Sequence, residues 1–321
     1  MRPTFSPVHG GEPRCEPECL LPGAAISELR AGCHALDSCW GVNMAESDLK
    51  YVDLRRSDPR SVSELIAVAL SDPNTNEYGG RDAAVALHWL GTEEALVRAA
   101  QLCQSFCAVE RRVGADIIGQ LGFSDGSFKR QRLNILLKML RSERDADVLY
   151  SVFIALSHVG EADAVGPAAR FRAHPVPIVR YAVVHALTGH DDPVALTSLI
   201  ELTNDEDSDV RDWATFGLGT QLEVDTPALR DALAGRLDDP DEVVRSEALI
   251  GLARRKDDRV VPALSKELAA DPVDFGCVEA AELMADHRLY SGLVTLRGRL
   301  EGHEQLLERA ILACSLGSDL A

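Results

Sequence analysis

The chain has no run of eighteen apolar residues, so it should contain no membrane-spanning helix. Its N-terminus lacks a basic start followed by an apolar core, so no secretory leader is expected. Aromatic residues make up only 5% of the chain, few for a β-sandwich or barrel. Alternating strand patterns are also absent. Neither an H-E-x-x-H zinc motif nor a G-x-x-x-x-G-K-[ST] phosphate loop occurs. Positive charge is scarce. Lys and Arg number 33 against 51 Asp and Glu, a net charge of −18. A chain this acidic repels nucleic acid and anionic membrane on average, so neither is an expected partner. The expected location is the cytoplasm. The eight cysteines, in a chain of this size without an export signal, are read as reduced thiols.

With 321 residues there is room for one large domain or two ordinary ones. Charge is unevenly spread. Residues 191–242 carry fifteen acidic residues against Arg211, Arg230 and Arg236, whereas residues 98–144 hold nine basic and four acidic residues. The molecule should therefore be electrostatically polar from one end to the other.

An internal repeat organises residues 46–321. The chain reads VPIVRYAVVHALTG near 180, DSDVRDWATFGLG near 211 and DEVVRSEALIGLA near 245. Taking the Leu seven residues after the shared Arg as an anchor gives Leu90, Leu121, Leu156, Leu187, Leu218, Leu252, Met284 and Leu316, spaced 31 to 35 residues apart. In each unit the second helix should end at the anchor. An Ala/Leu-rich first helix precedes it, as in SVSELIAVAL, EEALVRAAQL and FKRQRLNILLKML. Apolar residues recur at three and four in both, the period of an amphipathic helix. Breaks are expected at Ser71-Asp72-Pro73, His174-Pro175, Asp238-Asp239-Pro240 and Asp271-Pro272. Short helix pairs cannot bury their apolar faces alone but can when stacked. The expected fold is all-α, a right-handed α-solenoid of about eight two-helix repeats.

These motifs resemble HEAT repeats, and most closely the short bacterial HEAT-like repeats of the phycobilin lyase type. The match is strongest at 176–270 and weaker in the first three units, where Ala83, Gly114 and Leu149 stand in place of the motif Arg. The resemblance implies a fold more than a function, because the family spans scaffolds, inhibitors and a few enzymes. The recurring Arg180, Arg211, Arg245 and Arg309 are expected to pair with carboxylates or helix-end carbonyls near the inter-helix turns, where Asp209 and Asp241 lie. HEAT-type deoxyhypusine hydroxylases need several His-Glu pairs, and this chain has one, His303-Glu304.

Residues 1–45 do not repeat and are rich in Pro, Gly and Cys. They read as a disordered extension or an over-extended reading frame. The alternative, a zinc knuckle of Cys15, Cys19, Cys33, His34 and Cys39, has unusually wide spacing for a metal site. Gly122-Phe123-Ser124-Asp125-Gly126 matches the nucleophile-elbow pattern, but that motif needs a strand-to-helix turn. Here it joins two helices and reads as a capping turn. Cys103 and Cys107 share a helix face without a third ligand. No catalytic residue, metal or cofactor is expected.

Positions six and two before each anchor share a helix face outside the inter-repeat seam. Up the stack they include Tyr150 and Ile154, Tyr181 and His185, Asp212 and Phe216, and Ile250. This stripe is the expected concave binding face, with Tyr150, Tyr181 and Phe216 partly exposed as interface anchors. An acidic patch of Asp205, Glu206, Asp207 and Asp209 should flank it and favour a basic partner segment. The reading is a monomeric protein-binding scaffold, adaptor or inhibitor rather than an enzyme. Two alternatives stay open. One is a lyase or chromophore-handling factor. The other is an anion or nucleic-acid binder using Lys129, Arg130, Arg132, Lys138 and Arg141.

Overall fold

Local chemistry starts the helices where the sequence has Asp, Thr, Ser or Pro. In the computed structural model, which describes residues 58–71, 80–122, 126–299 and 303–315, Ser61 and Glu64 form a reciprocal capping box at the first helix. The side chains of Thr92, Asp145, Asp192, Asp207, Thr226, Asp241 and Asp274 cap later ones. Pro177, Pro193 and Pro227 occupy first-turn positions, where a missing N–H costs nothing.

Sixteen α-helices result among the described residues, with no strand. They form eight consecutive pairs. These are α1 (Val62–Ser71) with α2 (Gly80–Leu90), α3 (Glu93–Leu102) with α4 (Ala108–Gln120), α5 (Lys129–Leu140) with α6 (Ala146–Val159), and α7 (Val165–Ala169) with α8 (Pro177–Leu187). There follow α9 (Pro193–Leu202) with α10 (Ser208–Phe216), α11 (Pro227–Ala234) with α12 (Glu242–Arg254), α13 (Val260–Glu267) with α14 (Phe275–Met284), and α15 (Tyr290–Val294) with α16 (Glu304–Ser315). The chain is an all-α solenoid. All described residues belong to one unit, Arg55–Ala321. Residues 1–45, with their cysteines, lie outside the described residues, as do Ser124 and the last anchor, Leu316.

The second helices stack on one another from α4 through α6, α8, α10, α12 and α14 to α16, and form the more tightly packed layer. The second helices thus make the inner layer and the first helices the outer one. The anchors Leu121, Leu156, Leu187, Leu218, Leu252 and Met284 are buried, and the largest enclosed side chains include Tyr181, Phe153, Ile117 and Leu149. Between the fifth and sixth units two inner helices approach closely. A Cβ on Gly219 or Gly251 would meet the other's backbone at 3.0 or 2.7 Å. Beside this contact α10 runs into a π-helical turn, Gly217–Gln221. The Arg255 guanidinium donates to the carbonyls of Leu218, Gly219 and Leu222 there, at 2.7–2.9 Å.

Of the motif arginines, Arg180 and Arg211 tie their unit to the next by bidentate pairs, Arg245 reaches Glu267 at 3.4 Å, and Arg309 pairs back to Glu282 of the preceding unit. Arg211 donates from Nε and Nη2 to both carboxylate oxygens of Asp239 at 3.0 Å, and from Nη1 to the carbonyls of Asp205 and Glu206. Asp239 then accepts from the amide of Asp241, and Asp241 caps α12. The same chain runs from Arg180 to Asp205 to the amide of Asp207, which caps α10. Thus Asp209 and Asp241 are not the partners of the motif arginines. Asp205 and Asp239, each two residues before a capping Asp, take that role, because each reaches both the guanidinium and the cap amide.

Gly114 does not mark a missing Arg in the second unit. Arg111 stands at the fourth residue of α4, as Arg180, Arg211 and Arg245 do in their helices. It makes the same bidentate pair with Glu143, at 2.7 and 3.1 Å, and the same bonds to the carbonyls of Ser105 and Phe106. The register of that unit is shifted by three residues, so Ile118 is the equivalent of Leu218.

The Arg211–Asp239 pair is almost fully enclosed, with the Asp239 side chain 1% exposed. Removing Arg211 leaves the buried Asp239 carboxylate with only Arg236 at 3.2 Å and the Asp241 amide, and breaking a buried pair typically costs about 3–5 kcal/mol. Arg211→Ala should therefore lower unfolding stability by about 3 kcal/mol or more in urea titration. Arg172→Ala, which breaks the exposed pair with Glu201, should change it by less than about 1 kcal/mol.

Candidate functional site

The inner layer carries an aromatic cluster built by α6, α8 and α10. Tyr181 stacks against Tyr150 at a centroid distance of 6.5 Å and meets the edge of Trp213 at 6.0 Å. His185 lies 4.7 Å from Tyr181 and 4.3 Å from Trp213, and Phe216 meets Trp213 at 5.5 Å. The five rings thus bridge three consecutive repeats.

Exposure divides the cluster into a floor and a ridge. Tyr181 is 0% exposed, against the expectation of a partly exposed anchor. Its position six before the anchor turns it into the seam between α6 and α10. Asp212 is also buried, at 6%, and so is not an exposed contact residue. Tyr150, Ile154, His185, Phe216 and Ile250 are half-buried. Trp213, one residue off the predicted stripe, is half-buried at the centre of the cluster. A helical side chain covers surface over the turn N-terminal to its own Cα, so a one-residue offset moves it onto the ridge. The pattern that could have flagged Trp213 is its bulk next to a predicted stripe position.

Two polar ring atoms of the cluster lack partners. His185 Nε2 and Trp213 Nε1 are buried with no hydrogen-bond partner among the described residues. An unpaired buried group of this kind costs about 1–3 kcal/mol and needs an explanation in a native protein. Further along the layer, His88 Nε2 lies 3.0 Å from the Asp116 carbonyl, and His158 Nε2 lies 3.1 Å from Gln120 Nε2. Burial holds His88, His158 and His185 down at about 4, and Arg132 near His158 adds to the effect there. All three rings are therefore neutral at pH 7.

The acidic patch does not flank this ridge as a free surface. Asp205 is buried against Arg180, and Asp207 caps α10. Asp209 is half-buried in the first turn of α10. Only Glu206 projects into solvent. These residues sit in the turn before α10, at the edge of the solenoid. The basic window is partly spent too. Lys129 and Arg130 pair with Glu161 and Asp163, and Arg132 is buried while donating to the end carbonyls of α4, Ile118 and Gly119. Lys138 and Arg141 are exposed without an ion pair among the described residues.

No group of three His, Cys, Asp or Glu is placed to hold a metal ion among the described residues, and no described helix is long and apolar enough to cross a membrane. Burial pushes the thiols of Cys103 and Cys277 up to about 12, so neither is a nucleophile at neutral pH.

Stacked helix pairs joined by a repeating Arg–carboxylate link define a HEAT-type α-solenoid. The chain carries HEAT repeats: residues 133–219 and 199–285 match the family model for HEAT repeats. It is 28% identical over 227 residues to Protein YibA of Escherichia coli, covering 69% of this chain and 80% of that protein. The X-ray structure of YibA aligns with a TM-score of 0.67 and 24% identity, over 86% of this chain and 99% of that one. The complex of CpcE and CpcF of phycocyanin lyase from Nostoc aligns at 20% identity and a TM-score of 0.37, over 75% and 90% of the two chains.

The buried histidines set an acid dependence. Their folded pKa lies below the ordinary value near 6.5, so the stability linked to their neutral form is fully present above about pH 6.5 and is lost as pH falls toward 4. The thermal midpoint should drop across that window. His185→Phe, which keeps a ring between Tyr181 and Trp213 without the titration, should show a smaller drop in thermal scans over the same pH series.

Proposed function

We propose that the protein is a binding scaffold that holds a protein partner on its inner face, with Tyr150, Trp213 and Phe216 as the contact ridge. The observation that supports this most is the cluster itself. Aromatic residues are scarce in the chain, yet Tyr150, His185, Trp213 and Phe216, all half-buried, gather around the buried Tyr181 on the layer of second helices. Half-buried Trp and Tyr over a packed floor are the usual form of an interface anchor. Rigid backing lowers the ordering cost of binding. The partner segment carries positive charge, because the chain is strongly acidic and Glu206, Asp238 and Glu223 are exposed in the turns around α10 to α12. Nothing in the site favours chromophore chemistry, and three of the five basic residues suggested for anion binding are already paired or buried.

Affinity capture from the source organism would supply the partner, and calorimetry would rank the variants. Trp213→Ala and Phe216→Ala should each weaken the complex about 30-fold, near 2 kcal/mol, while leaving the helical signal intact. Tyr181→Ala should instead destabilise the fold by about 3–5 kcal/mol. Glu206→Lys should slow association and flatten its salt dependence. Unchanged binding by the Trp213→Ala, Phe216→Ala double variant would refute the reading.

A further inference from the structure

The outer edge of the solenoid carries a second candidate surface, remote in chemistry from the inner ridge. In the turn between α3 and α4, Phe106 is fully exposed. The turn is not loose. Arg111 donates to the carbonyls of both Ser105 and Phe106, at 3.1 and 3.0 Å, and is itself clamped by Glu143. The backbone therefore holds the ring out in solvent, where it contributes no packing to the fold. Beside it opens a cavity of about 480 Å³ lined by Cys103, Phe106, Ile135, Lys138 and Met139.

Comparison with the other repeats shows what is unusual here. Eight residues before Arg180 stands Arg172, and four before its partner Asp205 stands Glu201; the two form an ion pair across the turn. The same offsets from Arg111 and Glu143 give Cys103 and Met139. Five residues before the motif Arg stand Pro175, Glu206 and Pro240 in the later units, and Phe106 in this one. The equivalent edge beside Arg180 also opens a cavity of about 480 Å³, lined there by Arg172 and Glu201. Here Cys103 and Met139 replace that ion pair, so an apolar floor lies between the polar walls of Gln104, Ser142 and Glu143, and the Phe106 ring projects beside it.

The charge of the rim identifies the occupant. Residues 98–144 carry a net charge of +5 in a chain of −18. Lys138, on the cavity wall, and Arg141, one turn further along, form no ion pair among the described residues. We propose that this hollow docks an acidic segment of a second protein partner, which inserts an apolar side chain against Phe106 and Met139 and sets its carboxylates against Lys138 and Arg141. Two cations at the rim are few for a nucleic-acid backbone, and the hollow suits an aliphatic or aromatic side chain rather than a stacked base. The chain's own acidic window is spent on helix caps and Arg pairs, so a second copy is a poorer fit.

The test uses the full chain and fluorescence anisotropy with four labelled probes. These are a peptide with a central Leu-Phe pair flanked by glutamates, the same peptide with lysines for glutamates, the acidic peptide with alanines for Leu-Phe, and an oligothymidylate. The first should bind, and the others should bind at least about tenfold more weakly. Phe106→Ala, and separately Lys138→Glu with Arg141→Glu, should each cost about tenfold or more while leaving the thermal midpoint in place, since all three side chains are exposed. The proposal is overturned if the acidic apolar peptide does not bind or if the basic peptide or the oligonucleotide binds as well. It is also overturned if Trp213→Ala rather than Phe106→Ala abolishes binding, which would move the peptide to the inner face. Concentration-dependent dimerisation that Phe106→Ala removes would assign the hollow to a second copy and overturn it too.

Discussion

The bidentate pair between an arginine and the carboxylate of the following unit, made by Arg111, Arg180 and Arg211, is the interaction on which the middle of this structure rests. One guanidinium does three things. It closes its own inter-helix turn through two carbonyls, crosses to the next unit's carboxylate, and through that carboxylate orients the amide of the next capping Asp. The pair is charge-assisted and geometrically specific, so it sets the register between units as well as joining them. Against a hydrophobic alternative such a pair adds little net stability. What it adds here is a fixed stagger between consecutive inner helices.

That stagger is what brings the aromatic cluster together. Tyr150, Tyr181 and Trp213 come from three different repeats, so their ring contacts require α6, α8 and α10 to keep one spacing. Both Arg180 and Arg211 lie in this stretch, one turn or less from the rings they hold in place. Where helices must come closer still, small residues take over, as at Gly219 and Gly251. The outer edge follows the opposite logic. There the repeats need no mutual packing, so a position that carries an ion pair in one unit can be apolar in another.

The repeat was legible in the sequence because its signal is periodic and redundant. Eight anchors, an amphipathic period and Pro or Asp at the breaks all pointed to the same helix pairs, and the breaks at His174-Pro175, Asp238-Asp239-Pro240 and Asp271-Pro272 fall between helices. The unit ending in α4 was misaligned because Ile118 and Leu121 are both buried apolar residues three apart, and only the bonds of Arg111 distinguish them. The short first helix of the fourth unit, preceded by a 3-10 turn at Ala162–Ala164, has too few apolar residues to stand out. The site was legible only in part. A stripe rule identifies a helix face, but whether Tyr181 or Trp213 faces solvent depends on how far neighbouring helices overlap. Asp205 and Asp207 looked like a surface patch because composition cannot show that each is already bonded.

The central claim is that the arginine link couples neighbouring units rather than stabilising its own helix alone. Hydrogen exchange on Arg211→Lys, which keeps the charge but loses the bidentate geometry, tests it most directly. The account predicts faster exchange at the first turns of both α10 and α12, with α2 unchanged. Faster exchange confined to α10, or spread evenly along the chain, would contradict it.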